Sequence, residues 1–193
     1  MTTVESPSPA PATGAESAAP AHRNVALIGF MGAGKTTVGA ILAGILGFDF
    51  LDTDKVIEQR QGRRIADIFA HEGEPFFRGL ESSLCAELEA SEGKVIATGG
   101  GLPVNPANLA SLHRHAFVVC LWASPETIYA RVRTQHHRPL LQTENPLESI
   151  RDLLARRTAA YREADLIVGV DFRSPVETAR HIANAFRHGA ARA

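Results

Sequence analysis

The chain has 193 residues, of which 45% are hydrophobic and 21% are charged. These proportions fit one globular domain with an ordinary core and leave no room for a second full domain. The formal net charge of -1 at pH 7 and the pI near 6.7 argue against a strong electrostatic attraction to nucleic acid or to an anionic membrane surface.

Residues 1–22 are rich in Ala, Pro, Ser and Thr and contain no aliphatic run. This composition is typical of a disordered tail, so we predict a tail over residues 1–22 and one domain over residues 23–193. The segment has neither the apolar stretch of a secretory signal nor the arginines of a transit peptide. No apolar stretch reaches the roughly 18 residues of a membrane span, and we expect a cytoplasmic protein.

Five short apolar runs alternate with segments that carry apolar residues at helical spacing. The runs lack polar alternation, which predicts parallel strands buried on both faces and therefore a three-layer α/β domain. The predicted strands are 25–28, 49–51, 94–97, 116–121 and 166–170. The predicted helices cover 36–46, 53–60, 64–71, 76–91, 106–113, 124–133, 147–162 and 175–188.

Residues 29–36, between the first predicted strand and helix, read G-F-M-G-A-G-K-T. They match G-x-x-x-x-G-K-[ST] in the strand–helix context that this phosphate-binding motif requires. Glycines let backbone N–H groups surround phosphate oxygens, and the helix N-terminus adds partial positive charge. Lys35 is then placed to bridge the β- and γ-phosphates, and Thr36 to offer its hydroxyl to Mg²⁺. A plain glycine-rich turn fits this context poorly, so we predict binding of ATP or a related nucleotide.

Two carboxylates, Asp52 and Asp54, follow the second predicted strand. They are expected at the carboxyl edge of the sheet, where open α/β folds bind ligands. Asp52 could serve Mg²⁺ through water, and Asp54 could accept hydrogen bonds from a diol and take the proton of an attacking hydroxyl. Either residue could instead cap the next helix.

Arg78 and Glu81 share one face of a predicted helix because they are three residues apart. An arginine oriented by a carboxylate can present a rigid fork to a substrate carboxylate, although the pair alone could be a surface ion pair. The predicted strand before Gly99, Gly100 and Gly101 runs directly into these glycines. A backbone without side chains allows close approach of a ligand, and a flexible turn is the alternative.

Arg138 lies in a polar segment between two predicted helices that could close over the site and exclude water. Its charge could then stabilise the phosphates, whereas the adjacent His136 and His137 lack partners at metal-binding spacing and should face solvent. Cys85 and Cys120 stand far apart in apolar segments. We interpret both as buried reduced thiols rather than a disulfide or a metal pair.

In chain order these segments resemble the shikimate kinase family from about Asn24 to about Arg187. The order is GFMGAGKTTVG, FLDTD, FFRGLE, IATGGG, RPLL, RRTAAY and VDFRSP. The resemblance implies a P-loop kinase fold with a five-stranded parallel sheet, helices on both faces, a lid and a substrate-binding segment. It also implies transfer of the γ-phosphate of ATP to the 3-hydroxyl of shikimate, giving shikimate 3-phosphate and ADP in aromatic amino acid (chorismate) biosynthesis.

The resemblance further implies a role for each site residue. Lys35, Asp54 and Arg138 would be catalytic, and Mg²⁺ would be bound by Thr36 and, through water, by Asp52. Nucleotide contacts would come from Gly32, Ala33, Gly34, Lys35, Thr36, Thr37, Arg133, Arg138 and Arg173. Shikimate contacts would come from Asp54, Arg78, Gly99, Gly100, Gly101 and Arg157, with Glu81 positioning Arg78.

Two other functions remain open at this point. One is a gluconate or nucleoside monophosphate kinase, which would share the P-loop and a lid; two arginines placed for a carboxylate favour a hydroxylated carboxylic acid instead. The other is a catalytically silent module that senses nucleotide or shikimate. No long exposed apolar face is evident in the sequence, so we expect a monomer that binds neither nucleic acid nor membrane.

Overall fold

The structure, a computed structural model, describes residues 22–133 and 143–189. The predicted tail lies outside the described residues except for residue 22, and so do Arg138, His136 and His137. None of the described helices combines the length and the apolar character needed to cross a membrane.

A five-stranded sheet forms the centre of the described chain, and all of its neighbouring strands pair in parallel in the order β2-β3-β1-β4-β5. This architecture confirms the predicted α/β fold. The strands are β1 Asn24–Ile28, β2 Asp49–Asp52, β3 Lys94–Ala97, β4 Ala116–Trp122 and β5 Leu166–Gly169. The α-helices are α1 Lys35–Leu46, α2 Thr53–Gln61, α3 Ile65–Leu88, α4 Pro106–His115, α5 Pro125–Val132, α6 Pro146–Arg162 and α7 Pro175–Arg187, with one 3₁₀ turn at Leu102–Val104.

The central strand β1 is buried along its whole length. Successive side chains of a strand point to opposite faces, so complete burial means that helices cover both faces of the sheet. The main core joins β1, β3 and β4 to α1, α4, α5, α6 and α7. A smaller core under α2 and α3 contains Ile57, Ile68, Phe77, Leu84, Leu88 and Ile96.

Four helices begin with the same local chemistry, an Asn or Ser cap followed by proline. The cap side chain accepts a hydrogen bond from a backbone N–H of the first turn, and proline supplies a helical φ where its missing N–H costs nothing. These pairs open α4, α5, α6 and α7, and they are Asn105-Pro106, Ser124-Pro125, Asn145-Pro146 and Ser174-Pro175.

Element α3 consists of two helical segments that meet at a kink, in agreement with the prediction of two helices over 64–71 and 76–91. The break is at Gly73, where φ is 80° and ψ is 174°, and the second segment ends at Leu88. Glycine adopts this backbone conformation readily, and Pro75 sits just after the kink. The kink separates the first two turns of α3 from the turns that carry Arg78 and Glu81.

Candidate active site

The predicted motifs meet at the carboxyl edge of three neighbouring strands. The P-loop follows β1, the Asp52–Asp54 segment follows β2, and the glycine triplet, residues 99–101, follows β3. Together with parts of α3, α5, α6 and α7 they line a cavity of about 630 Å³. Among the predicted site residues that the structure describes, all but Arg133 line this cavity.

The P-loop is folded tightly enough that two of its glycines are required by contact as well as by backbone angle. Gly29 has φ of 133°, and a Cβ there would stand 2.5 Å from the Leu121 carbonyl oxygen of β4. Gly32 has φ of 76°, and its Cβ would stand 2.7 Å from Val132 of α5. Lys35 is nearly buried, and its ammonium donates to the carbonyls of Gly29 and Phe30 at 2.8 and 3.0 Å.

Asp52 makes contacts that fit both roles predicted for its carboxylate. Its Oδ1 accepts from the backbone N–H groups of Asp54 and Lys55 at 3.2 and 3.3 Å, which caps α2. Its Oδ2 accepts from the Thr36 hydroxyl at 2.8 Å. The cap therefore fixes a carboxylate oxygen beside the first turn of the P-loop helix, where hard oxygen ligands could meet Mg²⁺ together with phosphate oxygens.

Arg78 lies between two carboxylates of its own helix. Its Nη1 donates to Glu81 at 2.6 Å, and its Nη2 and Nε donate to Glu74 at 2.7 and 3.0 Å. Burial lowers the pKa of Arg78, but these hydrogen bonds outweigh burial and raise it. The guanidinium also lies over the Phe77 ring, 5.5 Å from its centre. Arg78 is therefore a cation with a fixed orientation.

Glu81 is a buried carboxylate, with 1% of its side chain exposed. Burial raises its pKa, and the partner Arg78 opposes that rise. Glu81 Oε2 receives the Arg78 hydrogen bond, while no described group donates to Oε1. This carboxylate stands in the wall of the cavity beside Asp54, whose charge also acts to raise the Glu81 pKa.

Each glycine of the triplet makes room for a different charged group. A Cβ on Gly99 would stand 2.6 Å from Asp54 Oδ1 and 2.8 Å from Glu81 Oε1, and a Cβ on Gly101 would stand 2.5 Å from Arg78 Nη1. A Cβ on Gly100 would stand 3.3 Å from Arg157 Nη1. The three glycines thus let two carboxylates and two guanidinium groups converge on one short loop.

The sequence predicts that the triplet offers its backbone to a ligand, but the structure also uses it internally. The N–H of Gly99 donates to the Thr53 hydroxyl at 2.9 Å. Arg157, which approaches Gly100, holds its guanidinium over the Phe30 ring, 5.6 Å from its centre. The closest approach to the triplet is therefore made by side chains of the site itself.

Arg131 is a cavity residue that the sequence analysis missed. It lines the cavity from α5 and donates to the carbonyls of Gly32, Ala33 and Val170 at 3.3, 3.4 and 2.9 Å. Arg133, the predicted nucleotide contact, is exposed at the end of α5. Helical spacing could have indicated this difference. Buried Ile128 lies three residues before Arg131, which puts the two on one helical face, but five residues before Arg133, which does not.

An apolar part of the cavity wall was also missed. Ile65, Phe69 and Phe77 of α3 line the cavity, and the two phenylalanine rings lie 4.9 Å apart.

Within the described ranges, no group of three or more His, Cys, Asp or Glu side chains is placed to hold a metal ion. A cation at Thr36 and Asp52 would consequently depend on ligands from the nucleotide.

Comparison with known proteins supplies a family for this geometry. The sequence profile of the family described as "Shikimate kinase" matches residues 31–187. A shikimate kinase of Pseudomonas fluorescens is 50% identical over 154 residues, which are 79% of this chain and 90% of the relative. The crystal structure titled "Shikimate kinase from Acinetobacter baumannii in complex with shikimate" has a TM-score of 0.80 at 40% identity and covers 84% of this chain and 92% of that chain.

A more distant structure bears on the alternative kinases. A gluconokinase from Sinorhizobium meliloti has a TM-score of 0.50 at 16% identity and covers 87% of this chain. Similarity at this level shows a shared fold alone.

Proposed function

The chain belongs to the shikimate kinase family, and on that premise we propose that its cavity transfers the γ-phosphate of ATP to the 3-hydroxyl of shikimate. One observation carries the assignment of the cavity. Arg78 and Arg157 converge on the glycine triplet beside Asp54, at the strand edge that also carries the P-loop. Two guanidinium groups next to a carboxylate fit an acceptor that is both an acid and an alcohol.

The acceptor would be bound at the triplet end of the cavity. Arg78 and Arg157 bind the carboxylate of shikimate, and Glu81 keeps Arg78 in orientation through the 2.6 Å hydrogen bond. Ile65, Phe69 and Phe77 give the carbon ring an apolar surface. Gly99, Gly100 and Gly101 form the floor.

Asp54 would serve as the general base. Its carboxylate lies in the first turn of α2 and reaches Gly99, between the acid-binding residues and the P-loop. There it takes the proton of the 3-hydroxyl as the new O–P bond forms and the bond from the γ-phosphorus to the ADP oxygen breaks.

The nucleotide would lie along the P-loop. Backbone groups of residues 29–36 surround its phosphates, Lys35 supplies positive charge, and Thr37 contacts the phosphate end. Arg131, Arg173 and Pro175 also line the cavity and would border the base. Arg133 and Arg138 remain proposed nucleotide contacts, and the latter lies outside the described residues.

Mg²⁺ fits the oxygen pair formed by Thr36 and Asp52. Both side chains offer hard oxygens, and the 2.8 Å hydrogen bond between them shows that both can face one point. We propose that Thr36 binds the ion directly and Asp52 through water. When bound with ATP, the ion would neutralise phosphate charge.

The proposed site needs no residue from a second chain, because the groups assigned to substrate, nucleotide and metal all belong to one protomer. We propose that the protein acts as a monomer, which size-exclusion chromatography with light scattering would test. A kinase of biosynthesis needs the cellular ATP pool, and we propose a cytoplasmic location.

A coupled assay of ADP release tests the proposed function with three acceptors: shikimate, gluconate and AMP. We expect turnover with shikimate alone. Turnover with gluconate or AMP and none with shikimate would contradict the acceptor, and nucleotide binding without any turnover would instead favour a sensor.

A further inference from the structure

Two buried hydroxyl groups hydrogen-bond the backbone of the glycine triplet. The Thr53 hydroxyl oxygen accepts a hydrogen bond from the N–H of Gly99 at 2.9 Å, and the Tyr161 hydroxyl donates to the carbonyl of Gly100 at 2.8 Å. Thr53 has 1% of its surface exposed and Tyr161 has none. Neither residue has a part in the proposed binding or chemistry.

The burial makes these two bonds costly to lose. A buried backbone N–H or C=O without a partner pays the full cost of leaving water, whereas an exposed one is resolvated. Thr53 belongs to α2 and Tyr161 to α6, so the triplet is tied to two helices that are distant in sequence. Its position in the cavity is set by both.

Tyr161 also lies close to an acid-binding side chain. Arg157 lies one helical turn before it on α6, so the two side chains share a helical face, and Arg157 Nη1 would stand 3.3 Å from a Cβ on Gly100, the residue whose carbonyl Tyr161 binds. Burial raises the pKa of Tyr161 to about 12, so the hydroxyl keeps its proton at neutral pH and can donate it to Gly100. The Tyr161 hydroxyl and the Arg157 guanidinium therefore approach the same residue, Gly100, from one face of α6.

Thr53 connects the triplet to the carboxylates of the site. It stands directly between Asp52 and Asp54 at the start of α2, so its bond to Gly99 fixes the helix end that carries both carboxylates. Asp54 in turn approaches Gly99 so closely that no Cβ fits between them. A small movement of the triplet would move this contact.

We propose that Thr53 and Tyr161 are positioning residues that set the affinity for the acid substrate without touching it. They hold the triplet and, through it, Asp54 and Arg157. This inference rests on the proposed function, because it names the substrate whose binding should respond.

The first test removes each of the two hydroxyl groups in turn. Tyr161→Phe and Thr53→Val should each raise KM for shikimate about five- to tenfold, the size expected for one buried hydrogen bond. KM for ATP should stay within about twofold of the parent value. Thr53→Ser keeps the acceptor oxygen and should restore KM for shikimate to near the parent value.

Matched controls remove hydroxyls elsewhere. Tyr129, the other tyrosine of the chain, lies on α5, and Thr158 on α6 donates only within its own helix, to Leu154 at 2.8 Å. Tyr129→Phe and Thr158→Val should leave both KM values unchanged. A thermal melt checks that each variant is folded, and the Thr53 variants carry the test if Tyr161→Phe is not.

A second acceptor separates positioning from general damage. The methyl ester of shikimate lacks the negative charge that Arg157 would bind, so Tyr161→Phe should reduce kcat/KM for the ester by less than about twofold. Equal reduction with acid and ester would overturn the claim for Tyr161, and so would a parent-like KM for shikimate in Tyr161→Phe and Thr53→Val. A parent enzyme that fails to phosphorylate shikimate would refute the proposed function instead.

Discussion

At the scale of single residues, Asp54 is the side chain whose role is most directly testable. Asp54→Asn preserves size and keeps one acceptor oxygen but removes the ability to take a proton. We expect kcat to fall by about 10²- to 10⁴-fold, the range for loss of a general base, while KM for ATP stays near the parent value. Asp67→Asn changes an exposed carboxylate on α3 and is the control. Parent-like turnover in Asp54→Asn would remove Asp54 from the role of base.

Gly101 permits a purely steric test of Arg78. Its backbone, with φ of -94° and ψ of -18°, suits alanine, yet a Cβ would stand 2.5 Å from Arg78 Nη1. Because a flexible side chain can move aside, Gly101→Ala should cost less than about 1 kcal/mol of stability and raise KM for shikimate about tenfold.

The matched control for this variant is Gly44→Ala. Gly44 lies in α1, and a Cβ added there would meet no atom within 4 Å. Alanine at this position should therefore stabilise the helix by about 0.5–1 kcal/mol and leave KM unchanged. Thermal melts and steady-state kinetics of both variants give the comparison. A parent-like KM for shikimate in Gly101→Ala would show that Arg78 can move aside without loss of affinity for the substrate.

At the scale of elements, the kink of α3 orients the segment that carries Arg78 and Glu81. Gly73→Ala places a Cβ on a residue with φ of 80°, and we expect a loss of about 1–3 kcal/mol in the free energy of unfolding. KM for shikimate should rise as the second half of α3 shifts.

Gly79 provides a control in the same helix. It is exposed, helical and free of atoms within 4 Å of a Cβ, so Gly79→Ala should stabilise α3 by about 0.5–1 kcal/mol. Chemical denaturation of the two variants measures the difference. Equal stability of Gly73→Ala and Gly79→Ala would contradict the expectation that alanine is strained at the kink.

The elements also show what a sequence can and cannot predict. The five strands and the starts of α4 to α7 follow from apolar runs and from Asn/Ser–Pro pairs, which are local signals. The division of α3 into two helical segments was predictable as well, because Gly73 and Pro75 interrupt a helix. The packing of Ile68 and Phe77 from the two segments into the smaller core was not, because it depends on contacts with other elements.

The site divides in the same way. The location of Lys35 and Thr36 in the cavity was predictable because a short motif fixes their surroundings, and that of Asp52 because it follows a predicted strand. The sequence did not predict which charged group each triplet glycine makes room for, or that Arg131 rather than Arg133 lines the cavity. Both features depend on contacts between elements that are far apart in sequence. The family's motifs therefore predict which residues share one cavity, but they do not predict how those residues contact one another.

At the scale of the whole molecule, His115 couples stability to pH. It is buried at the end of α4, where its Nδ1 meets Asn24 Nδ2 at 3.0 Å and no described group hydrogen-bonds its Nε2. Burial lowers the pKa of His115 below its ordinary value of 6.5, although Glu89 opposes the change. The unfolded chain then binds the proton more readily than the folded one.

The free energy of unfolding should consequently decrease as pH falls below 6.5 toward the lower folded pKa, and this contribution is fully present above that range. His115→Asn keeps an acceptor for Asn24 and removes the titration, so its unfolding free energy should depend less on pH below the ordinary histidine pKa of 6.5. Denaturation at a series of pH values measures both slopes. Identical slopes would exclude His115 as the source.

The two cysteines of the chain, Cys85 and Cys120, are both buried and unpaired. Burial raises the pKa of Cys85, and raises that of Cys120 to about 12, which leaves both thiols unreactive at neutral pH. A cysteine introduced at fully exposed Phe172, next in the chain to Arg173 of the proposed nucleotide site, would thus be labelled selectively by a maleimide dye. Fluorescence from that single dye could follow the arrival of ATP in real time.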